Sequence, residues 1–214
     1  MVRDRWEPGT LERLAAFYNG CRYGYEGWQG WRKSTDLRRL AACFESCAEL
    51  GLLSRDRTVL LDLGCADGRV NVLASYFVRL SLGIEIDAEI LAEAEPRRRE
   101  LEALLRTQGL TPPPCNLHLF QGDSLEAETY QRIRSETGVC FEDVNLFYTY
   151  ITLHDRFAEK IAAEAAPGAL YLVYGFSQVL PRYESLELEV PDVANQGIVA
   201  LYRKGGGLKF FREW

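Results

Sequence analysis

Three short segments of the chain place acids beside glycines. They read Asp62-Leu63-Gly64-Cys65-Ala66-Asp67-Gly68-Arg69, Gly83-Ile84-Glu85-Ile86-Asp87 and Gln121-Gly122-Asp123-Ser124. Gly64 and Gly68 allow positive φ and close approach of backbone to a ligand. A helix opening after Gly68 would present free N–H groups that suit a carboxylate. A carboxylate at Glu85 can accept hydrogen bonds from both hydroxyls of a ribose, and Asp123 from an adenine amino group. Glu85 follows Gly64 by 21 residues, against the spacing of about 20 that separates such a loop from a ribose-binding acid. A dinucleotide fingerprint would need glycine at 64, 66 and 69, and the chain has Ala66 and Arg69. No Gly-Lys-Ser/Thr follows, so the loop is not a phosphate-cradling P-loop either.

A second group of residues stands where a reacting group would lie. Tyr148-Thr149-Tyr150 ends an apolar run, and His154-Asp155 follows it. Tyr148 and Tyr150 alternate, so both point to one sheet face. With Thr149 and the aromatics Tyr23, Tyr25, Trp28 and Trp31 they are candidate walls of a reaction site, and core packing explains the same residues equally well. Tyr148 and His154 are the candidate catalytic residues. An imidazole at 154 can take a proton from an acceptor hydroxyl. His154-Asp155 also reads simply as the start of a helix, with an acid in its favourable first turn.

These residues need elements to carry them, and the patterns alternate between strand and helix. Apolar runs predict strands at 59–65, 80–86, 116–121, 144–151 and 169–176, the first continuous enough for a buried parallel strand. Helices are predicted at 10–20, 34–50, 68–78, 88–107, 125–135 and 155–166, with Pro96 breaking or kinking the fourth. Ser34, Thr35 and Asp36 offer N-caps and Gly51 a stop. Strands at 185–190 and 198–203 come without a helix between them and predict a closing hairpin. The expected fold class is α/β: a Rossmann-like, doubly wound, mostly parallel seven-stranded sheet with a C-terminal antiparallel hairpin and helices on both faces. Residues 1–214 read as a single domain, with an N-terminal helical and aromatic flap region over 1–50 and a ligand-binding core over 51–214. In such a sheet ligands bind at the carboxyl ends of the strands, where all three acidic segments fall.

Composition narrows the function classes. The 214 residues are 47% hydrophobic and 26% charged with net charge −6, ordinary for a globular domain, and the acidic balance disfavours nucleic acid as a partner. No apolar run approaches the ~18 residues of a membrane span, and the N-terminus lacks the apolar stretch of a secretory signal, so a cytoplasmic location and no membrane association are expected. The basic run Arg97-Arg98-Arg99 lies among glutamates and reads as a solvated helix face. Six cysteines are scattered without a C-x-x-C pair. Cys43 and Cys47 share a helix face, but neither His118 nor His154 completes a metal-ligand spacing. Reduced core thiols and no metal are expected.

The order of these pieces resembles the class I S-adenosylmethionine-dependent methyltransferases. Their first motif is matched by 61–68, their acidic second motif by Gly83-Ile84-Glu85 and their adenine-side motif by Gly122-Asp123. The resemblance covers residues 34–176, and the 185–203 hairpin is similar to the family's last two strands. Ala66 departs from the glycine that many members carry. The resemblance implies S-adenosyl-L-methionine as cofactor and a methyltransferase activity. It places the methionine part at Gly64, Cys65, Ala66 and Gly68, the ribose at Glu85 beside Ile86, the adenine at Asp123 and Ser124, Asp62 near the amino group, and Tyr148 at the reacting end.

The acceptor is left open between a small molecule and a protein side chain. Leu153-His154-Asp155 is similar to a motif of small-molecule O-methyltransferases in which the histidine is the general base, although Arg156 stands where tryptophan often follows and their large dimerisation region is missing. Thr35-Asp36 opening a helix that runs into Asp-Leu-Gly-Cys-x-Asp-Gly-Arg resembles compact non-SET lysine methyltransferases. Enzymes that methylate adenine or glutamine amides carry Asn/Asp-Pro-Pro-Tyr where this chain has Phe147-Tyr148-Thr149-Tyr150. No cysteine sits where a pyrimidine C5 enzyme needs its nucleophile, and the carboxylate trio of metal-dependent catechol enzymes is missing. A non-catalytic binding module of the same fold is the alternative outside the enzyme class.

Overall fold

The computed structural model describes residues 9–24, 34–176 and 179–205. Seven strands form one sheet: β1 (Val59–Leu63), β2 (Leu80–Glu85), β3 (Leu117–Gln121), β4 (Leu146–Tyr150), β5 (Leu170–Tyr174), β6 (Leu186–Val190) and β7 (Val199–Lys204), in the order β3-β2-β1-β4-β5-β7-β6. The first five are parallel. β7 returns antiparallel between β5 and β6, the closing hairpin expected from two consecutive strand patterns. Strand order reverses between β1 and β4, which opens a crevice at their carboxyl ends.

β1 is buried along its whole length because helices cover both faces. One face carries Leu60, Tyr148, Leu172 and Leu201 and packs against α1 (Thr10–Asn19), α2 (Leu37–Glu49), α3 (Arg69–Ala74) and α5 (Ala94–Thr107). The other carries Leu61, Ile84, Phe147 and Val173 and packs against α6 (Ala127–Thr137) and α7 (His154–Glu164). This alternation is the strand period of two expressed as two separate cores.

Helix ends shift by up to four residues from the predicted spans, and three of the departures have a visible cause. α3 ends at Ala74, four residues early, and 3₁₀-type bonds from Tyr76 and Phe77 tighten the chain toward β2. Asn116 donates from Nδ2 to the carbonyls of Ser75 and Val78 at 3.0 and 2.8 Å, satisfying groups that an ended helix leaves bare. The long helix of 88–107 is interrupted: α4 (Ala88–Ala92) stops one residue before α5 begins. Pro96 sits in the first turn of α5 and cannot donate to the carbonyl of Ala92, so the break falls one turn upstream of the proline itself. α6 begins at Ala127 rather than 125, because Asp123 takes the Leu125 N–H with Oδ1 at 2.8 Å and makes a turn first.

Candidate functional site

The loop between β1 and α3 bends through three left-handed residues, Gly64 at φ 125°, Ala66 at φ 49° and Gly68 at φ 72°. Gly68 also has no room for a side chain, since a Cβ would lie 2.6 Å from Leu119 Cδ1. Around Gly64 the opposite holds: among the described residues nothing lies within 4 Å of where its Cβ would stand. Gly64 and Ala66 both line a cleft of about 720 Å³, within the usual range for small-molecule sites. Ala66 occupies a conformation that glycine adopts without strain, so the alanine is held there at a cost in backbone strain.

Glu85 reaches this cleft from the end of β2. Its Oε2 accepts from the Ala66 N–H and its Oε1 from the Asp87 N–H, both at 2.9 Å. The carboxylate is thereby aimed across the loop. Its neighbour Ile86 leaves 62% of its surface exposed in the cleft, a flat apolar face with no core to join. Gly122, Asp123, Ser124 and Leu125 line the adjoining edge. Gly122 is glycine for packing, as a Cβ there would meet Thr129 Oγ1 at 2.6 Å. The far side is built by Thr149, Tyr150 and the irregular segment to Leu153, followed by Arg156 and Phe157 of α7. Leu153 is left-handed at φ 54° and 51% exposed, and an exposed leucine held in strained backbone is a feature of binding sites rather than of cores.

Of the ten residues assigned to cofactor binding from sequence, Gly64, Ala66, Glu85, Ile86, Asp123 and Ser124 line the cleft. Asp62, Cys65, Gly68 and Tyr148 are not among its lining residues. Asp62 is buried, pairs in register with Tyr148 across β1 and β4, and its Oδ1 has no hydrogen-bond partner among the described residues. Burial, and then the charge of Glu85, push its carboxyl well above the ordinary aspartate range. The Cys65 thiol is likewise pushed up by burial, so it serves as a small packing group. Tyr148 is buried with its hydroxyl 2.6 Å from Thr35 Oγ1. Burial, then Asp62, raise its pKa, and this geometry gives it no contact with the cleft.

His154 also lies off the cleft lining. Its Nδ1 is 2.8 Å from the Tyr183 hydroxyl and 3.2 Å from Asp155 Oδ1, and its carbonyl accepts from Tyr171. The helix-start reading describes this position, with Asp155 in the first turn of α7. Tyr23 and Tyr150 of the expected aromatic wall do line the cleft, and Tyr25, Trp28 and Trp31 fall outside the described residues. Tyr150 leans on Gly175, whose missing Cβ would stand 3.1 Å from the ring, and its centroid is 5.6 Å from that of Tyr174. Cys43 and Cys47 are buried, and burial raises their thiols to about 12 and about 11, so in this structure they serve as packing groups.

Sequence reasoning missed Leu125, Ile151, Thr152, Leu153, Arg156 and Phe157 as wall residues. It also read Arg97 as part of a solvated face. Arg97 instead turns inward with Arg69, and both bond the fully buried carboxylate of Asp67. The one available signal was Arg69 itself, a charged residue opening a helix whose every other residue is buried.

No family model matches the chain and no curated protein matches it. Solved structures do share its fold. A candidate RNA methyltransferase from Pyrococcus horikoshii superposes at TM-score 0.56 with 12% identity, over 94% of this chain and all (100%) of that one. The tRNA (m1A58) methyltransferase of Aquifex aeolicus gives 0.53 with 14% identity, over 94% and 77%. An RNA methyltransferase from Salinibacter ruber, solved with S-adenosyl-L-homocysteine, gives 0.50 with 16% identity, over 80% and 95%. The chain therefore has the class I methyltransferase fold. The charge argument against nucleic acid does not hold beside these likenesses: net charge is a bulk property, and RNA-modifying enzymes are built on this same fold. Among the described residues no helix is long and apolar enough to cross a membrane.

Proposed function

We propose that the chain is an S-adenosylmethionine-dependent methyltransferase whose cofactor occupies the cleft at the carboxyl ends of β1, β2 and β3. One observation carries this reading: Gly64, the Glu85 carboxylate, the exposed Ile86 and the Asp123–Leu125 turn converge on a single cleft. These groups fit the cofactor's chemistry. Backbone at Gly64 and Ala66 would hold its amino-acid end, Glu85 its ribose hydroxyls, and Ile86 with the Asp123–Leu125 turn its base. When bound, the cofactor supplies a methyl group already activated on a sulfonium.

The chain's own residues then have to align the acceptor and exclude water. The cleft continues past the glycine loop to Thr149, Tyr150 and Arg156, space that a nucleotide grip alone does not require, which favours a transferase over a binding module. Tyr23 and Tyr150 offer ring faces suited to a cationic centre. Among the described residues, the cleft lining contains no histidine, cysteine or lysine. His154 is committed to Tyr183 and Asp155. This arrangement supports an acceptor that needs no enzymatic base, such as an amine that releases its proton to solvent on desolvation or a ring nitrogen that presents its own lone pair, over a hydroxyl. Protein side chains and RNA bases both offer such nitrogens.

Transfer of labelled methyl from S-adenosylmethionine to separated protein, RNA and small-molecule fractions tests the reading. Label appearing on nitrogen in the protein or RNA fraction is expected. Label on oxygen of a small molecule, abolished by His154→Ala, would overturn the base-free mechanism.

A further inference from the structure

A buried charge cluster stands beside the cleft without belonging to its floor. Arg69, its side chain 3% exposed, donates from Nε to Asp67 Oδ1 at 2.8 Å and from Nη2 to Asp67 Oδ2 at 2.9 Å. Arg97 donates from Nη1 to the same Oδ2 at 3.2 Å and from Nη2 to Glu93. Two arginines and two carboxylates balance in formal charge around the buried Asp67–Arg69 pair, with Arg97 and Glu93 partly exposed at its edge.

The remaining donors and acceptors of this cluster go to one stretch of backbone. Arg69 donates to the carbonyls of Tyr18 and Cys21, both at 3.0 Å, and Arg97 to the carbonyl of Arg22. Glu93 Oε1 accepts from the Gly24 N–H at 2.9 Å. Residues 21–24 form neither helix nor strand, so side chains from α3, α5 and the α4–α5 junction supply this order. The consequence is the location of Tyr23. Its ring centroid lies 4.7 Å from Arg69 Cζ, and it joins Gly64 and Ala66 in lining the cleft.

We propose that the Asp67–Arg69–Arg97–Glu93 cluster is a positioning device that fixes Tyr23 as a wall of the cofactor cleft, so that Arg97 acts on cofactor affinity through Tyr23. The proposal rests on the reading of the cleft as a cofactor site. Structural ion pairs elsewhere in the fold, such as Arg203 with Glu189, have no residue of the cleft at their far end.

Calorimetric titration with S-adenosylhomocysteine of the unaltered chain, Tyr23→Ala, Arg97→Met and the double variant tests it. Arg97→Met leaves Asp67 paired with Arg69. Each single variant is expected to bind about fivefold to tenfold more weakly, and the double variant no more weakly than Tyr23→Ala, because residues acting through one contact are not additive. Losses that multiply in the double variant, or Tyr23→Ala binding as tightly as the unaltered chain, would overturn the proposal. Should Arg97→Met fail to fold, Arg97→Lys, which keeps the charge but loses the forked contacts to Asp67 and the Arg22 carbonyl, replaces it in the same cycle with Tyr23→Ala. If the unaltered chain itself does not bind, the cofactor reading falls, and this proposal with it.

Discussion

The hydroxyls of Tyr148 and Thr35 lie 2.6 Å apart although 113 residues separate them. Beside them the Asp36 N–H donates to the Tyr174 hydroxyl at 3.1 Å. Tyr148 in the middle of β4 and Tyr174 at the end of β5 thus anchor the residues that open α2, and Asp36 caps that helix from the same place. Thr35→Val leaves the Tyr148 hydroxyl buried and unpaired, which should cost about 1–3 kcal/mol in urea unfolding, and adding Tyr148→Phe should recover most of it. Tyr148→Phe alone should keep turnover near normal. A large loss of turnover in that variant would place Tyr148 back in the chemistry.

Asp62 gives a prediction in pH. Its folded-state carboxyl is raised by burial, then by Glu85, above the ordinary value of 3.8. The native state therefore holds a proton that the unfolded chain releases, and stability falls as pH rises above about 4 through the folded pKa. Asp62→Asn removes this dependence while keeping the shape. Its gain in stability over the unaltered chain should be small at pH 3 and should grow toward neutrality in denaturant titrations of the ligand-free protein. A gain that shrinks with rising pH would mean that Asp62 is stabilised as a charged group.

His154→Ala separates the two readings of the β4–α7 junction. With the imidazole bonded to Tyr183, the variant should lose about 1 kcal/mol of stability and retain turnover within a few-fold. A fall of about 10²–10⁴ in rate with stability intact would restore the general-base role.

Ala66 stands at φ 49°, where an L-residue pays strain of about 1–2 kcal/mol. Ala66→Gly relieves it at an unfolded-state entropy cost of about 0.4–1 kcal/mol. The variant should therefore be equal to or slightly above the parent in melting temperature. Gly68→Ala should be clearly destabilised, because it adds a Cβ 2.6 Å from Leu119 at φ 72°. A destabilised Ala66→Gly would show that the alanine methyl makes contacts that outweigh its backbone strain.

The residues that shape the loop were legible because their reasons are local. A buried parallel strand reads as an apolar run, a left-handed turn reads as glycine, and a hairpin reads as two strand patterns without a helix between. Glu85 and Asp123 were legible because strand ends are where such a sheet exposes acids. What stayed hidden was set by distant partners. Alternation placed Tyr148 on the correct face, but its depth depends on Thr35. The role of His154 depends on Tyr183, 29 residues onward. Arg97 looked solvated among glutamates, yet it turns inward to Asp67 and to the Arg22 carbonyl, 75 residues back. No period in the sequence encodes contacts of that kind.

The central claim is that Glu85, held against Ala66, grips the ribose of S-adenosylmethionine. Calorimetric titration of the chain and of Glu85→Ala with S-adenosylhomocysteine tests it most directly. The account predicts saturable one-to-one binding, weakened in the variant by about 1.5–3 kcal/mol, roughly tenfold to a hundredfold. Equal affinity in the two proteins, or no binding by the unaltered chain, would contradict it.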